Sequence, residues 1–304
     1  MIVVDIMCGM GNQMFQYAFA RAVQELYKEK KLYFSFVTAK RMKDGRTYAL
    51  GHCKLTKDIV IKPQANQLIM DTYLKIKKKC VRDEGSNDDK KKLYEKFVRK
   101  GIYTSDAIFS FYGLPKTNRK LKYINGWWQS EKYFHNIADK IKQELKIVTP
   151  PSDANIELLR EICSCESVCM HVRRGDYISP KFSTELEICN EKYYVEGMNF
   201  IAKKTKNPVF YVFTTSHKDI VWIKENWNLK FPVRFVDLDN PDYEEIRLMY
   251  TCKHFILANS TFSWWGAFLS ENKEKIVIAP VPWNRRDKKY EDIYMENWNR
   301  IFCD

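Results

Sequence analysis

The sequence predicts an α/β protein whose second half is built on a mostly parallel, doubly wound sheet. Three observations lead there. Apolar runs at 167–172, 208–214, 233–236, 254–258 and 276–279 alternate with stretches long enough for a helix or a loop, which is the pattern of repeated strand and crossover units. The chain opens with the same unit: IVVDIM, the turn CGMGNQ, then Met14, Phe15, Ala18, Ala22 and Leu26 at helical spacing. Finally, 304 residues that are 45% hydrophobic and 29% charged describe a globular chain long enough for two ordinary domains.

The first element is a strand. MIVVDIM (1–7) has no basic lead and carries an Asp, so it reads as an edge or core strand rather than a signal peptide, and it is far too short to span a bilayer. No other run approaches transmembrane length, and cytoplasmic residence is the expectation. From Lys75 to Lys100 the chain carries eleven basic residues; Asp83, Glu84, Asp88 and Asp89 interrupt them, so a solvated, partly helical excursion is expected. An amphipathic stretch from Tyr133 to Leu145 leads to Pro150-Pro151. That break predicts an amino-terminal domain at 1–150 and a carboxyl-terminal domain at 151–304. Ligands of open α/β sheets bind beyond the carboxyl ends of the strands, so the residues that follow each apolar run are the ones to read for chemistry.

The net charge of +13, from 51 basic and 38 acidic residues, favours an anionic partner: a nucleotide, a nucleic acid or an anionic membrane surface. Nucleic acid is the weakest of the three, because the Lys-rich excursion lacks interleaved aromatic platforms. The nine cysteines are scattered. Cys163, Cys165 and Cys169 cluster without histidines at ligand spacing, so free thiols are expected rather than a zinc site or a disulfide framework.

The run His171-Val172-Arg173-Arg174-Gly175-Asp176-Tyr177 sets two adjacent cations, an imidazole and a carboxylate at the end of the apolar strand Ser167–Met170. Gly175 permits a sharp turn there. Side chains alternate along a strand, so Arg173 shares a face with His171 while Arg174 faces the other way. A planar guanidinium binds phosphate oxygens through two parallel hydrogen bonds. Arg173 is therefore the candidate diphosphate clamp, and Asp176 its orienter. A buried Arg-Asp structural pair fits these residues equally well.

Further along, the strand His254–Ala258 ends in Asn259-Ser260-Thr261-Phe262-Ser263-Trp264-Trp265-Gly266-Ala267. Hydroxyls at a strand-to-helix turn cap the helix, and its amino end is a ready anion site. Gly9-Met10-Gly11-Asn12-Gln13 follows the first strand but matches neither a dinucleotide fingerprint nor a P-loop. A glycine-softened turn bearing Gly11, Asn12 and Gln13 still suits sugar hydroxyls or a phosphate. Asp237-Leu238-Asp239 follows VRFV; paired carboxylates suit a hard cation, and a single carboxylate suits the N–H donors on guanine's pairing edge.

Taken together, these segments resemble glycosyltransferase family 11, the α-1,2-fucosyltransferases, over most of the chain. GMGNQMFQYAFARA is similar to the family's first motif, GWWQSEKYF (126–134) to its middle segment, and HVRRGDY to its diphosphate motif. CNEKYYVEGM (189–198) and LMYTCKHFILANSTFSWWGAFL (248–269) resemble the segments that follow. VFTTSHKDIVW (212–222) departs from the shorter Phe-Ser-Asp-Asp stretch more usual there.

The resemblance implies a GT-B fold, two Rossmann-like domains facing across a cleft, the first on the acceptor side and the second binding GDP-fucose. It implies inverting transfer of L-fucose from GDP-fucose to the 2-hydroxyl of a terminal galactose in a glycan. No metal or other cofactor is expected. Arg173 and Arg174, Thr215, Asp237, Asn259, Ser260, Thr261, Phe262, Ser263 and Trp264 become the expected donor contacts. Gly11, Asn12 and Gln13 belong to the acceptor-side domain. Expected partners are the donor and a galactose-terminated glycan, no nucleic acid, and peripheral contact with an anionic inner membrane.

Fucosyl transfer puts negative charge on the departing GDP, so preorganised positive charge at that phosphate is the main protein contribution. Arg173 supplies it. Inversion also calls for acceptance of a hydroxyl proton, the work of a carboxylate or a His. His171 and Asp176 are the candidates within the motif; Asp176, beside two cations, stays ionised and is a poor base. A base-free route through a loose transition state is the other option. Two readings of another class stand beside this one: a basic nucleic-acid-binding protein, and an inactive glycan-binding relic of the same fold.

Overall fold

The computed structural model describes residues 1–42, 46–61, 86–105, 109–180, 182–285 and 292–303. The chain divides into two compact units, Met1–Leu145 and Lys146–Asp304. The division lies just ahead of Pro150-Pro151.

The first unit is a five-stranded parallel sheet. Its strands are β1 (Ile2–Asp5), β2 (Leu32–Ser35), β3 (Ile59–Ile61), β4 (Ile102–Ser105) and β5 (Lys122–Gly126), in the order β3-β2-β1-β5-β4. Its helices are α1 (Met10–Tyr27), α2 (Val37–Met42), α3 (Asn87–Arg99) and α4 (Ala138–Glu144). α1 is buried along most of its length because apolar and small residues surround it, and Phe19 stacks on Trp128 at 3.8 Å. Its one buried cation, Arg21, is paired through Nε with Glu144 of α4 at 2.9 Å. Burial of each such large apolar side chain contributes roughly 1.5–3 kcal/mol. The ion pair lets the helix keep a charge on its buried face.

Two sequence expectations need adjustment here, and a third is met where it can be read. Gly11, Asn12 and Gln13 are not a loose turn: α1 begins at Met10, so all three lie in its first turn. The amphipathic stretch from Tyr133 to Leu145 is the end of one short 3-10 turn, a second 3-10 turn at His135–Ile137 and then the seven-residue α4. Of the Lys-rich excursion, the described part is α3, which starts at a capping box between Ser86 and Asp89; Lys75 to Gly85 lies outside the described residues.

The second unit is a six-stranded parallel sheet. Its strands are β6 (Glu166–His171), β7 (Pro208–Phe213), β8 (Val233–Phe235), β9 (His254–Ile256), β10 (Val277–Val281) and β11 (Asn299–Phe302). The order is β11-β10-β9-β6-β7-β8. Five of these are the predicted apolar runs. β11 was not predicted, since NRIF is a short edge strand with alternating exposure. The helices are α5 (Asp153–Ser164), α6 (Ser183–Leu186), α7 (Glu191–Ala202), α8 (His217–Asn226), α9 (Asp242–Thr251) and α10 (Thr261–Leu269).

This strand order reverses direction between β6 and β9, the topological switch point at which dinucleotide-type folds bind ligands. The core on one face of the sheet joins Val168, Met170, Phe210, Val212 and Ile256 to Tyr193, Tyr194 and Met198 of α7. Gly197 lets α7 approach closely, since a Cβ there would sit 3.1 Å from Ile256. All cysteines among the described residues are free thiols. No helix among them is long and apolar enough to cross a membrane.

Candidate active site

Three loops meet beyond the carboxyl ends of β6, β7 and β9. After β6, Arg173 donates through Nη2 to Asp176 Oδ1 at 2.8 Å, an i,i+3 pair that reaches into the single-turn 3-10 segment Gly175–Ile178. The guanidinium lies 5.3 Å from the Tyr177 ring centroid. Tyr177 in turn donates through its hydroxyl to the Asn259 carbonyl at 3.2 Å, which ties this loop to the turn after β9. On the other side Gly175 adopts φ +29°, and its missing Cβ leaves room for Thr215 of the β7 loop.

Beyond the end of β6, where the backbone turns at Arg174, the two arginines part. Arg174 turns away from Arg173 and stacks 3.2 Å from the Trp222 ring centroid of α8, with Nε 3.7 Å from Asp219. Its cation is engaged in packing α8 against the strand end. Arg174 thus has a packing role on the α8 side of the strand end, beside its expected place among the donor contacts.

His171, the other catalytic candidate of the motif, is the last residue of β6. It is buried, and desolvation, followed by the neighbouring Arg173 charge, pushes its pKa down to about 3. Burial therefore favours the neutral ring over the imidazolium. It packs 6.2 Å from the Phe262 ring, joining the β6 end to the amino end of α10.

The Asn259–Trp264 turn divides into residues that build the fold and residues that remain available. Asn259 donates through Nδ2 to the carbonyls of Leu186 and Trp283, at 3.0 and 3.1 Å. Ser263 donates to the Ala258 and Ser260 carbonyls, and Trp264 donates through Nε1 to Ile293 O at 2.7 Å. Ser263 and Trp264 are fully buried. These three hold the turn in place. Ser260 caps α10 by accepting from the Phe262 amide at 3.3 Å, and Thr261 and Phe262 are partly exposed. The available residues thus lie at the helix's positive end.

In the first unit, Gln13 is buried and hydrogen-bonded through both ends of its amide. Its Nε2 donates to Cys8 O and Thr47 O, and its Oε1 accepts from Ala49 N at 2.9 Å. Gln13 therefore secures the loop around residues 47–49. Gly11 is buried within α1. Asn12 is partly exposed and accepts from Gln129 Nε2 at 2.7 Å, so its amide nitrogen is the remaining polar group of this motif.

Beside the β7 loop lies a recess of about 160 Å³, lined by Thr215, Ser216, His217, Asp237, Asp239 and Glu245 among others. Asp237 pairs with His217 Nδ1 at 2.6 Å. Among the described residues no group of three or more His, Cys, Asp or Glu is gathered as a metal site. Glu245, on α9, was not picked out from the sequence. Burial, with the nearby Asp242 charge, pushes its pKa up to about 7, while Arg173 opposes the rise. DYEEIR reads as an ordinary acidic helix start; only the packing shows that the second glutamate turns into the recess. Tyr177 escaped notice in the same way, because its partner Asn259 is 82 residues distant.

Known proteins match both the sequence and the fold. The model of the family described as Glycosyl transferase family 11 matches residues 1–302. An α-1,2-colitosyltransferase of Escherichia coli is 35% identical over 58% of this chain and 61% of its own length. A galactoside α-(1,2)-fucosyltransferase 1 of Saimiri boliviensis boliviensis is 26% identical over 48% of this chain and 42% of its own length. The chain thus spans about three-fifths and two-fifths of these relatives. The NodZ α-1,6-fucosyltransferase of Bradyrhizobium, co-crystallised with GDP, superimposes with a TM-score of 0.51 at 12% identity, covering 88% of this chain and 91% of that one. That likeness concerns the fold, and with two parallel sheets it gives the GT-B class.

Proposed function

Because the chain belongs to glycosyltransferase family 11, we propose that it transfers L-fucose from GDP-fucose to the 2-hydroxyl of a terminal galactose, with inversion and without a metal. The observation that carries this reading is the Arg173–Asp176 pair, set beside the amino end of α10 at the switch point of the second sheet. Arg173 meets the diphosphate as a bidentate donor, and Ser260 and Thr261 meet it at the helix end. This charge neutralises the leaving group, so the reading calls for no cation. The recess carrying Asp237 and Glu245 receives the base, whose N–H groups a carboxylate accepts. With His171 held neutral and Asp176 engaged by Arg173, transfer proceeds through a loose transition state, and the acceptor proton leaves late, to water or to the departing phosphate. Asn12 is the residue of the first unit assigned to the acceptor.

The highest identity quoted above is to a colitosyltransferase, so a GDP-linked 3,6-dideoxyhexose is the second donor to examine. The test is incubation with GDP-fucose, GDP-colitose and GDP-mannose in parallel, against a panel of galactose-terminated acceptors, with the linkage read by NMR. Fucose in α-1,2 linkage is expected. Transfer of colitose alone would move the donor assignment, and absence of both transfer and donor hydrolysis would leave a glycan-binding protein.

Glu245 makes the donor step pH-dependent. Its carboxylate form, the one that accepts from a base N–H, prevails above about pH 7. GDP affinity is therefore expected to fall as pH drops below 7, approaching tenfold per unit, and Glu245→Gln should flatten that slope. The stability effect has its own sign. A carboxyl whose pKa rises on folding favours the folded state fully below its ordinary value of 4.5, and this is lost as pH rises through 7. Glu245→Gln should thus stabilise the protein at pH 8, by on the order of 1–3 kcal/mol, and do little at pH 4.5. Thermal melts at the two pH values, with GDP titrations, check both signs.

A further inference from the structure

The first unit carries a strongly basic concavity at the opposite edge of its sheet from Asn12. Arg99 ends α3, and the segment 116–120 leads into β5, so both lie at the amino ends of β4 and β5. A cavity of about 440 Å³ is lined by Arg99, Lys116, Thr117, Asn118 and Arg119, with no carboxylate among them. The two segments are fixed against each other. Thr117 donates through Oγ1 to the Arg99 carbonyl and through its amide to Tyr27 Oη, and the Arg119 stem packs over Gly101, which adopts φ +85°. Lys96, Lys100 and Lys120 continue the same exposed surface. Glu95 is the sole acid among the described residues of 90–122.

Cations in the last turn of a helix offset its dipole, and that accounts for Lys96 and Arg99. It does not account for Lys116 and Arg119, which reach the same concavity from a separate segment. We infer that this face docks on an anionic phospholipid surface, with a headgroup phosphate seated between Arg99, Lys116 and Arg119. Cations spread over a helix end and a loop, with no enclosing wall, suit a charged sheet of headgroups better than one small anion. The inference is independent of the donor assignment and is read without any assay of transfer.

Each cation at such a surface strengthens binding about fivefold. Sedimentation with vesicles of phosphatidylcholine containing phosphatidylglycerol, against phosphatidylcholine alone, measures it. The protein should bind the anionic vesicles only and release in about 0.5 M NaCl, where screening shortens to ~4 Å. Arg99→Gln/Lys116→Gln/Arg119→Gln should weaken binding by on the order of 100-fold, with an unchanged thermal melt. Lys116→Gln alone, on an exposed loop residue, keeps the test valid if the triple variant melts early; its expected loss is about fivefold. Undiminished binding by either folded variant, or no binding of the unaltered protein, overturns the inference. So does full release by millimolar inorganic pyrophosphate at low salt, which would mark a site for a soluble phosphate instead.

Discussion

Arg173→Ala is expected to lower kcat by at least on the order of 10³-fold while the protein stays folded. Removing one neutral donor from a preorganised oxyanion site costs about 10²–10³-fold, and Arg173 offers a full charge with two parallel donors. The fold should survive because the group is not enclosed: 20% of the Arg173 side chain and 42% of the Asp176 side chain are exposed, so water can solvate the carboxylate left behind. Loss of stability near 1 kcal/mol or less is expected for such an exposed pair. Arg173→Lys should recover only part of the rate, since an ammonium cannot reproduce the planar fork. A second signature follows from Glu245, whose pKa the Arg173 charge holds down. In Arg173→Ala the pH dependence of GDP binding should shift upward. Near-normal turnover in Arg173→Ala would remove it from the role of leaving-group clamp.

The sequence was most informative where burial imposes a pattern. Strands covered on both faces are continuous apolar runs, so β6, β7 and β9 could be read directly, and with them the positions of HVRRGDY and the Asn259 turn. The expected divergence of Arg173 and Arg174 is also seen, although both lie past the end of β6 and the turn at Arg174 produces it. What could not be read was the destination of each polar side chain. Asn259 and Gln13 have the composition of ligand contacts, yet their amides hold backbone groups of loops distant in sequence. Conversely, Glu245 looked like helix-start decoration and Tyr177 like the tail of a motif. Each owes its place to a neighbour brought close by strand order, and no local spacing encodes that. Edge strands such as β11, half solvated and short, leave little apolar signal of any kind.

Gly175→Ala tests whether the Arg173 loop must be held where it is. Two effects oppose the alanine. The residue adopts φ +29°, where a Cβ strains the backbone, and that Cβ would lie 3.0 Å from Thr215 Cγ2, 3.2 Å from Oγ1 and 3.3 Å from Cβ. The loop must shift by a few tenths of an ångström or more, carrying Arg173 and its Asp176 partner with it. Displacements approaching 1 Å cost about 10²-fold in rate, so a loss of roughly 10- to 100-fold in kcat/KM is expected. The two causes can be separated by a double-mutant cycle. Thr215→Ala removes Cγ2 and Oγ1, leaving one contact at 3.3 Å, and should by itself cost only a few-fold. If crowding dominates, Gly175→Ala/Thr215→Ala will be more active than the two single losses multiply to, with a coupling of about 0.5–3 kcal/mol. If the backbone conformation dominates, the losses will be additive and Gly175→Asn, which tolerates the left-handed region better, will outperform Gly175→Ala. Full activity in Gly175→Ala would show that the loop reaches its working position only with donor bound, and that the Arg173–Asp176 geometry of the free protein is not what prepares the diphosphate site.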